Sequence, residues 1–184
     1  MNETLRVIRD RRSIRKYKFE QITDSELQSI LDAAIYAPIH EQKWHFTVIQ
    51  NKDLLDRMVD SIKENFMNSG SEIMIKRVKD PTYHTFYNAS TVILISADET
   101  AQSMQIECGL AAQNIMLAAE SLNIGSCFIV ASAILFKTEK GNQFKKELGI
   151  PDGYNHVCTI ALGYKYGDNP AAPSRDNNVI NYIK

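Results

Sequence analysis

The sequence predicts an α+β domain in which four or five strands are flanked by helices. Two amphipathic segments, at residues 25–36 and about 53–68, repeat apolar side chains with helical periodicity. A third run, "TVILISA" at 91–97, is apolar and β-branched, which is typical of a central strand buried on both faces. At 184 residues, 44% of them apolar, the chain is long enough for one globular domain with its own core.

In the first half, residues 2–10 predict a short helix with Leu5 and Ile8 on one face. Thr23 and Glu26 form a capping box before "SELQSILDAAIY", a helix that Pro38 ends. "PIHEQK" is a predicted loop and "WHFTVIQ" a strand. A second amphipathic helix covers about 53–68, and a weaker one lies between Gly70 and Pro81.

In the second half, residues 102–122 predict a long helix that is apolar or small on nearly every face. Such a helix is buried, either within the subunit or in an interface between subunits. "SCFIV" and "HVCTIALGY" are predicted strands, and residues 132–148 are predicted to be helical with a break near Gly141. The Pro- and Asn-rich tail, 165–184, is not expected to fold alone, and no linker or repeat divides the chain.

Composition argues against several classes of protein. The net charge of −1 is unlike the large basic excess of a dedicated nucleic-acid binder. No apolar run is long enough to span a membrane, and "MNETLRVIRD" lacks the apolar core of a signal peptide, so we expect a cytoplasmic protein. The isolated Cys108, Cys127 and Cys158 predict buried free thiols rather than a disulfide or a metal site.

The segment "RRSIRKY", residues 11–17, concentrates charge in an almost neutral chain. Its arginines can pair with phosphate oxygens through a planar fork, and Ser13 adds a short hydroxyl donor among them. Arg175, in "PSRD" of the tail, is a further candidate. By pattern alone, a phosphate site and a solvated charged turn are about equally supported, because most charge runs are solvated.

With its neighbours, this segment resembles the FMN-dependent nitroreductase family. The resemblance continues through "ILDAAIYAP", "QKWHFTVI", "ECGLAAQNIMLAAESLNIGSCF" and "ALGYK…PSRDN", in the order that the family has them. It implies an intertwined homodimer with a mostly antiparallel sheet and FMN bound at the subunit interface. By the resemblance, the residues that match the family's ligands of the phosphate and ribityl chain are Arg11, Arg12, Ser13 and Arg15. Arg175 would reach the phosphate from the tail. The tail itself would wrap the partner subunit.

Further contacts with the flavin ring are implied by the same resemblance. The loop after "AP" would reach the partner's flavin through Ile39, His40 and Gln42. This loop is about two residues shorter than is usual in the family, and His40 stands where the family usually has Asn. Ser126, Cys127 and Phe128 would offer backbone groups to the flavin. Arg15 is the best candidate for a cation near the pyrimidine edge, where it would raise the reduction potential by stabilising the anionic reduced flavin. Lys16 is expected to face solvent, opposite its neighbour in extended chain.

The implied activity is transfer of a hydride from NAD(P)H through flavin N5 to a nitroaromatic, quinone or similar acceptor. None of the eight glycines forms a G-x-G-x-x-G or a phosphate-loop motif. The nicotinamide would therefore stack on the flavin and leave before the acceptor enters, which predicts ping-pong kinetics and requires no nucleophilic side chain. We name no catalytic residue.

The segment 67–88, with Tyr83, His84, Phe86 and Tyr87, is the candidate substrate wall, since aromatic rings can stack on planar acceptors. Each ring could instead pack the domain core. Two other functions remain open at this stage: a same-fold flavoenzyme with different chemistry, such as reductive dehalogenation or destruction of the flavin ring, and a non-catalytic flavin-binding sensor or storage protein.

Overall fold

The structure, a computed structural model, describes residues 1–176 and 178–184, and so all of the predicted tail except residue 177. Helices and strands alternate irregularly along the chain. The helices are α1 Glu3–Asp10, α2 Asp24–Ile35, α3 Lys52–Met67, α4 Glu72–Val78, α5 Met104–Ser121 and α6 Glu139–Glu147, with a 3₁₀ helix at Ala131–Lys137. The strands are β1 Trp44–Ile49, β2 Thr91–Asp98, β3 Ile124–Ile129 and β4 Tyr154–Tyr164.

The four strands form one sheet in the order β1-β2-β4-β3, and every neighbouring pair is antiparallel. The predicted sheet of four to five mostly antiparallel strands is therefore confirmed. β2 lies between β1 and β4 and is buried along nearly its whole length, as its β-branched sequence predicted. A bulge in β4 opposite Ile95 and Ser96 shifts the register near His156.

The core lies in two layers, one on each face of the sheet. Because successive side chains of a strand point to opposite faces, Ile93 and Ile95 pack towards α2 and α5, whereas Val92 and Leu94 pack towards α3 and α6. The long α5 supplies the largest share of the first layer. Helices therefore cover both faces of the sheet.

Side-chain caps start most of the helices where the sequence places them. Thr23 and Glu26 make the predicted capping box at the start of α2. The side chains of Asn2 and Asn51 accept hydrogen bonds from backbone N–H groups in the first turns of α1 and α3.

Three details differ from the sequence predictions. The break in the helix predicted at 132–148 falls at Thr138, because its hydroxyl caps α6 by accepting from Gly141 N, so Gly141 is inside the helix rather than at the break. In α1 the buried residue is Val7, while Leu5 and Ile8 are about half exposed. Val130 follows β3 instead of belonging to it.

The three cysteines are buried and free, as predicted. Within residues 1–176 and 178–184, no helix is long and apolar enough to cross a membrane.

Candidate anion-binding site

The "RRSIRKY" segment lies against the edge of the sheet beside β3 and the end of β4. Ile14 N donates to Ser126 O at 2.9 Å, and Lys18 N donates to Tyr164 O at 2.9 Å. Isolated bridges pair Ser13 with Ser126 and Tyr17 with residue 165. Backbone bonds therefore fix the position of the basic segment relative to the sheet, so it is not a loose solvated turn.

Two glycines allow this close approach. A Cβ atom at Gly125 would lie 2.9 Å from Ile14 Cγ2, and one at Gly163 would lie 3.0 Å from Tyr17 Cδ1. Tyr17 also anchors the segment, since its hydroxyl donates to Ile14 O at 2.6 Å. Burial raises the pKa of Tyr17 well above its ordinary value of 10.0, so the hydroxyl keeps the proton that it donates.

A cleft of about 550 Å³ opens between this segment, the end of α1 and the tail. The tail closes one side of the cleft with residues 170–173 and 175. Among the described residues, no acidic side chain lines the cleft. Its five arginines are Arg9, Arg11, Arg12, Arg15 and Arg175. A cleft lined by several arginines, without an acidic side chain among its described lining residues, is a candidate site for a phosphate-sized anion.

The arginines of the cleft are engaged to different degrees. Arg12 Nη1 donates to Arg9 O at 2.6 Å and to Arg11 O at 2.8 Å, so this side chain also holds the turn that leaves α1. Arg15 Nη1 makes one long bond, 3.4 Å, to Ser13 O. In the described part of the chain, Arg11 and Arg175 have no hydrogen-bond or ion-pair partner, which leaves both forks available to a ligand.

Lys16 is exposed, as the sequence predicted. Arg15 is exposed as well. Lys16 borders a smaller hollow of about 250 Å³ with Tyr166 and Asp168, which adjoins the arginine cleft and shares Ser13 and Arg15 with it. The segment turns inward at Ile14 and Tyr17 instead, because those two side chains pack against Gly125 and Gly163. Lys16 therefore lies outside the lining of the arginine cleft.

The residues of β3 that the sequence singled out lie beside the basic segment. Ser126 Oγ is buried and has no hydrogen-bond partner among the described residues, so a polar group is held next to Ser13 without a bond. The Cys127 thiol points into the core, and burial raises its pKa while the charges of Arg15, Arg11 and Arg77 oppose the shift. The Phe128 side chain is 41% exposed on the Arg15 side.

The loop residues Ile39, His40 and Gln42 are not brought to this cleft within the chain. His40 N donates to Glu107 Oε1 at 3.0 Å, which fixes the loop at the start of α5 instead. Gln42 has a left-handed φ of 50°, and the Ile39 side chain is exposed. Their predicted contacts with a flavin bound to the partner subunit are not tested by a single chain.

Sequence reasoning missed several residues at the site. Arg9 and the tail residues 170–173 line the cleft, and Arg77 faces a second cavity that shares Arg15. Nothing in the local pattern marks Arg77, since "IKRV" is an ordinary basic helix end. Of the aromatics in 67–88, Phe86 packs the core, whereas Tyr83 and Tyr87 line that cavity.

No group of three or more His, Cys, Asp or Glu side chains among the described residues could hold a metal ion.

The fold and the site define an α+β protein with a basic cleft between its N-terminal segment and its tail. Residues 8–164 match the sequence model of the Nitroreductase family. The chain belongs to that family, as the sequence resemblance predicted.

Relatives and solved structures agree over nearly the whole length. A protein of Archaeoglobus fulgidus with the provisional name NADH dehydrogenase/NAD(P)H nitroreductase is 31% identical over 171 residues, 89% of this chain and 86% of its own. Two solved nitroreductases with bound FMN superpose over 100% of both chains. One, from Bacteroides fragilis NCTC 9343, is 31% identical with a TM-score of 0.94. The other, from Desulfitobacterium hafniense DCB-2, is 32% identical with a TM-score of 0.92, so the predicted nitroreductase-like fold is confirmed.

Proposed function

We propose that this chain is an FMN-dependent oxidoreductase whose arginine cleft holds the phosphate of FMN. The proposal depends on the cleft itself, which five arginines line without an acidic side chain among its described lining residues. Family membership and the FMN bound in both similar structures support this ligand over other phosphate esters.

The available side chains suggest a division of roles. Arg11 and Arg175, whose forks have no partner among the described residues, would pair with the phosphate, and Arg12 and Ser13 would complete the phosphate and ribityl contacts. Arg15 borders both the arginine cleft and the cavity of Tyr87, so it would lie between the phosphate and the ring. Ser126, Cys127 and Phe128 would contribute backbone groups along β3.

When bound, FMN would supply hydride transfer from NAD(P)H to a nitroaromatic, quinone or similar acceptor in a ping-pong cycle. The chain's own part would be to bind, orient and shield. The arginines would fix the cofactor electrostatically, and β3 with the 77–87 segment would limit access to the reacting face. No side chain of the site needs to act as a nucleophile, so we assign no catalytic residue.

We further propose that residues 1–184 form one domain that works as a homodimer. Ile106 and Leu110 on α5 are 69% and 40% exposed, although both are apolar, which suggests that a second copy covers this face. The tail at 165–184 would wrap the partner, and Ile39, His40 and Gln42 would reach the partner's flavin. A cytoplasmic location stays a prediction from the sequence.

The test begins with the purified protein. We expect a yellow protein whose released cofactor has the mass of FMN, and whose visible absorption bleaches anaerobically on addition of NADH or NADPH. Steady-state rates with a quinone or a nitroaromatic should give parallel double-reciprocal lines. Release of FAD, or no flavin uptake on reconstitution, contradicts the proposal, and converging lines contradict only the ping-pong part.

A further inference from the structure

The 3₁₀ helix continues one wall of the cavity that shares Arg15 with the arginine cleft. Residues 128–131 form this wall, and under the proposed function the flavin ring would lie against them. Val130, which joins β3 to the helix, has an exposed side chain, so that side chain does not hold the wall in place. The buried side chains of the 3₁₀ helix are Ser132 and Leu135. Ser132 directly follows the wall and is therefore placed to fix its end.

A buried polar cluster ties Ser132 to β4. Ser132 Oγ lies 2.8 Å from Thr159 Oγ1, and Thr159 Oγ1 lies 2.8 Å from His156 Nε2. Ser132 and Thr159 are both completely buried. The His156 ring also stacks on Phe136 of the 3₁₀ helix, with 4.6 Å between the ring centroids and 16° between the planes. Two side chains of the 3₁₀ helix thus contact two side chains of β4.

The bulge in β4 brings His156 into this cluster. In a regular strand, His156 and Thr159 would point to opposite faces of the sheet, because three positions separate them. The register passes from Cys158 to His156 between two successive residues of β2, so Val157 is the extra residue. Val157 and Cys158 accordingly both pack on the α5 side, and His156 joins Thr159 on the other face. Bulges of this kind often re-aim a side chain next to a functional site.

The cluster does not satisfy all of its own hydrogen-bonding groups. Burial and the charge of Lys145 lower the pKa of His156 to about 4, so near neutral pH the ring carries one N–H. If Nε2 accepts from Thr159, the proton is on Nδ1, which is buried and has no partner among the described residues. If Nε2 donates instead, the chain of bonds runs the other way, and the Ser132 hydroxyl has no acceptor in the described part of the protein.

Either arrangement leaves one buried donor unpaired, and an unpaired buried donor lowers stability. A purely apolar contact between the 3₁₀ helix and β4 would avoid this cost. Exceptions to full hydrogen bonding in a core are expected where function requires a defined geometry.

We propose that Ser132, Thr159 and His156 are positioning residues, whose buried hydrogen-bond chain fixes the backbone of residues 129–131 where the flavin ring would lie. The inference rests on the proposed oxidoreductase function. In the described part of the chain, none of the three side chains lines the arginine cleft or the neighbouring cavity, so they would act through this backbone. Because a displacement of about 1 Å can slow a reaction about a hundred-fold, loosening the wall should affect hydride transfer more than FMN affinity.

The variants for the test remove or keep single hydroxyl groups. Ser132→Ala and Thr159→Val each break the chain, whereas Thr159→Ser keeps the hydroxyl that links it. Thr91→Val is the matched control, since Thr91 is another completely buried threonine of the sheet and its hydroxyl accepts from Gln50 Nε2 at 3.2 Å. Thr91 is not among the lining residues of either cavity. If Thr159→Val does not fold, Ser132→Ala decides, because it keeps the bond between Thr159 and His156.

The first measurement is amide hydrogen exchange at Ala133, whose N–H donates to Val130 O at 3.1 Å. With one buried hydrogen bond lost, exchange in Ser132→Ala and Thr159→Val should be about three- to tenfold faster than in the parent. Thr159→Ser and Thr91→Val should exchange like the parent at this position. The measurement needs no turnover, so unchanged exchange in both chain-breaking variants overturns the inference whatever the protein's activity.

The second measurement is anaerobic reduction of the FMN-loaded protein by saturating NADH or NADPH, followed by stopped flow. Ser132→Ala and Thr159→Val should slow flavin reduction about ten- to a hundred-fold, and Thr159→Ser should keep most of the parent rate. The dissociation constant of FMN should change little, because the arginines of the cleft are retained. Parent rates in both chain-breaking variants, or equal slowing in Thr91→Val, would overturn the inference. A parent protein that takes up no FMN, or whose flavin no nicotinamide reduces, contradicts the proposed function instead.

Discussion

Arg11 and Arg12 are neighbours in sequence, yet they are engaged differently. Arg12 is bonded to two backbone carbonyls, whereas Arg11 and Arg175 have no partner among the described residues. We expect Arg11→Ala and Arg175→Ala each to weaken FMN binding about ten- to a hundred-fold, because each removes a charged hydrogen-bonding partner of the phosphate. Arg12→Ala should weaken it as well, partly by loosening the turn. Fluorescence titration of the apoprotein with FMN measures the effect.

Lys16→Ala is the matched control, since Lys16 carries the same charge in the same segment but lies outside the lining of the cleft. Its FMN affinity should equal that of the parent. If the arginine variants also bind FMN like the parent, the charge cluster is not the phosphate site.

Arg15 has a different expected effect because it lies between the arginine cleft and the Tyr87 cavity. Arg15→Gln should lower the flavin reduction potential by roughly 30–60 mV, the equivalent of losing one charged contact to the anionic reduced flavin in a two-electron couple. Redox titration under saturating FMN measures the change. Arg11→Ala, in the same titration, should leave the potential almost unchanged; an equal shift in both variants would mean that Arg15 is only a phosphate ligand.

His156 predicts how stability depends on pH. Burial lowers the pKa of His156 from 6.5 to about 4, so the folded protein binds fewer protons than the unfolded chain between those values. Stability is therefore fully present above about pH 6.5 and is lost as the pH falls towards 4. Between about pH 7 and about pH 5, the free energy of unfolding should fall by about 2 kcal/mol.

His156→Gln should remove most of this dependence, which urea denaturation at several pH values would reveal. Some dependence of the free energy of unfolding on pH should remain, because burial also lowers the pKa of His84 and this acts in the same direction. If the stability of the variant depends on pH as strongly as that of the parent, His156 is protonated as readily in the folded protein as in the unfolded chain.

At the scale of elements, the basic segment and β3 depend on one another. Gly125→Ala would bring a Cβ atom 2.9 Å from Ile14 Cγ2, so either the segment or the strand must move. We expect a destabilisation of about 1–3 kcal/mol, as for other overpacked sites, together with weaker FMN binding. Ile14→Ala removes two of the three crowding atoms, Cγ2 and Cγ1, and leaves only the Ile14 Cβ at 3.0 Å. The double variant should therefore cost less than the sum of the two single changes. Additive losses would indicate that this contact does not position the segment.

Elements with strong local signals were predicted well. The capping box of Thr23 and Glu26 and the apolar period that follows fixed the start and the face of α2. Weaker local signals misled: Gly141 suggested a helix break, but its lack of a Cβ serves packing against residue 135 and the break falls at Thr138. A glycine marks either conformational freedom or close approach, and only its neighbours in space distinguish the two.

At the scale of the whole molecule, the exposed apolar face of α5 predicts self-association. Light scattering at micromolar concentration should give the mass of a dimer. Ile106→Glu should dissociate it, because the 69% exposed side chain would place a charge in the proposed interface while costing the isolated chain little. Gln143→Glu on the exposed face of α6 is the control and should remain dimeric. A monomeric, FMN-loaded parent protein would contradict the proposal.

The sequence by itself determined the positions of most helices and strands, the burial of β2, the family, and the basic segment as a candidate anion site. These follow from periodicity, capping residues and charge, which act between residues close in the chain. Only the tertiary structure decided which side chains converge. The family resemblance had implied Arg175 beside Arg11, and the structure brings both to one cleft because the tail returns along the basic segment. Nothing in the sequence predicted Arg9 in that cleft, or Arg77 in the cavity that shares Arg15. Contacts between side chains that are distant in the sequence depend on sheet register and on backbone turns, and neither leaves a local sequence pattern.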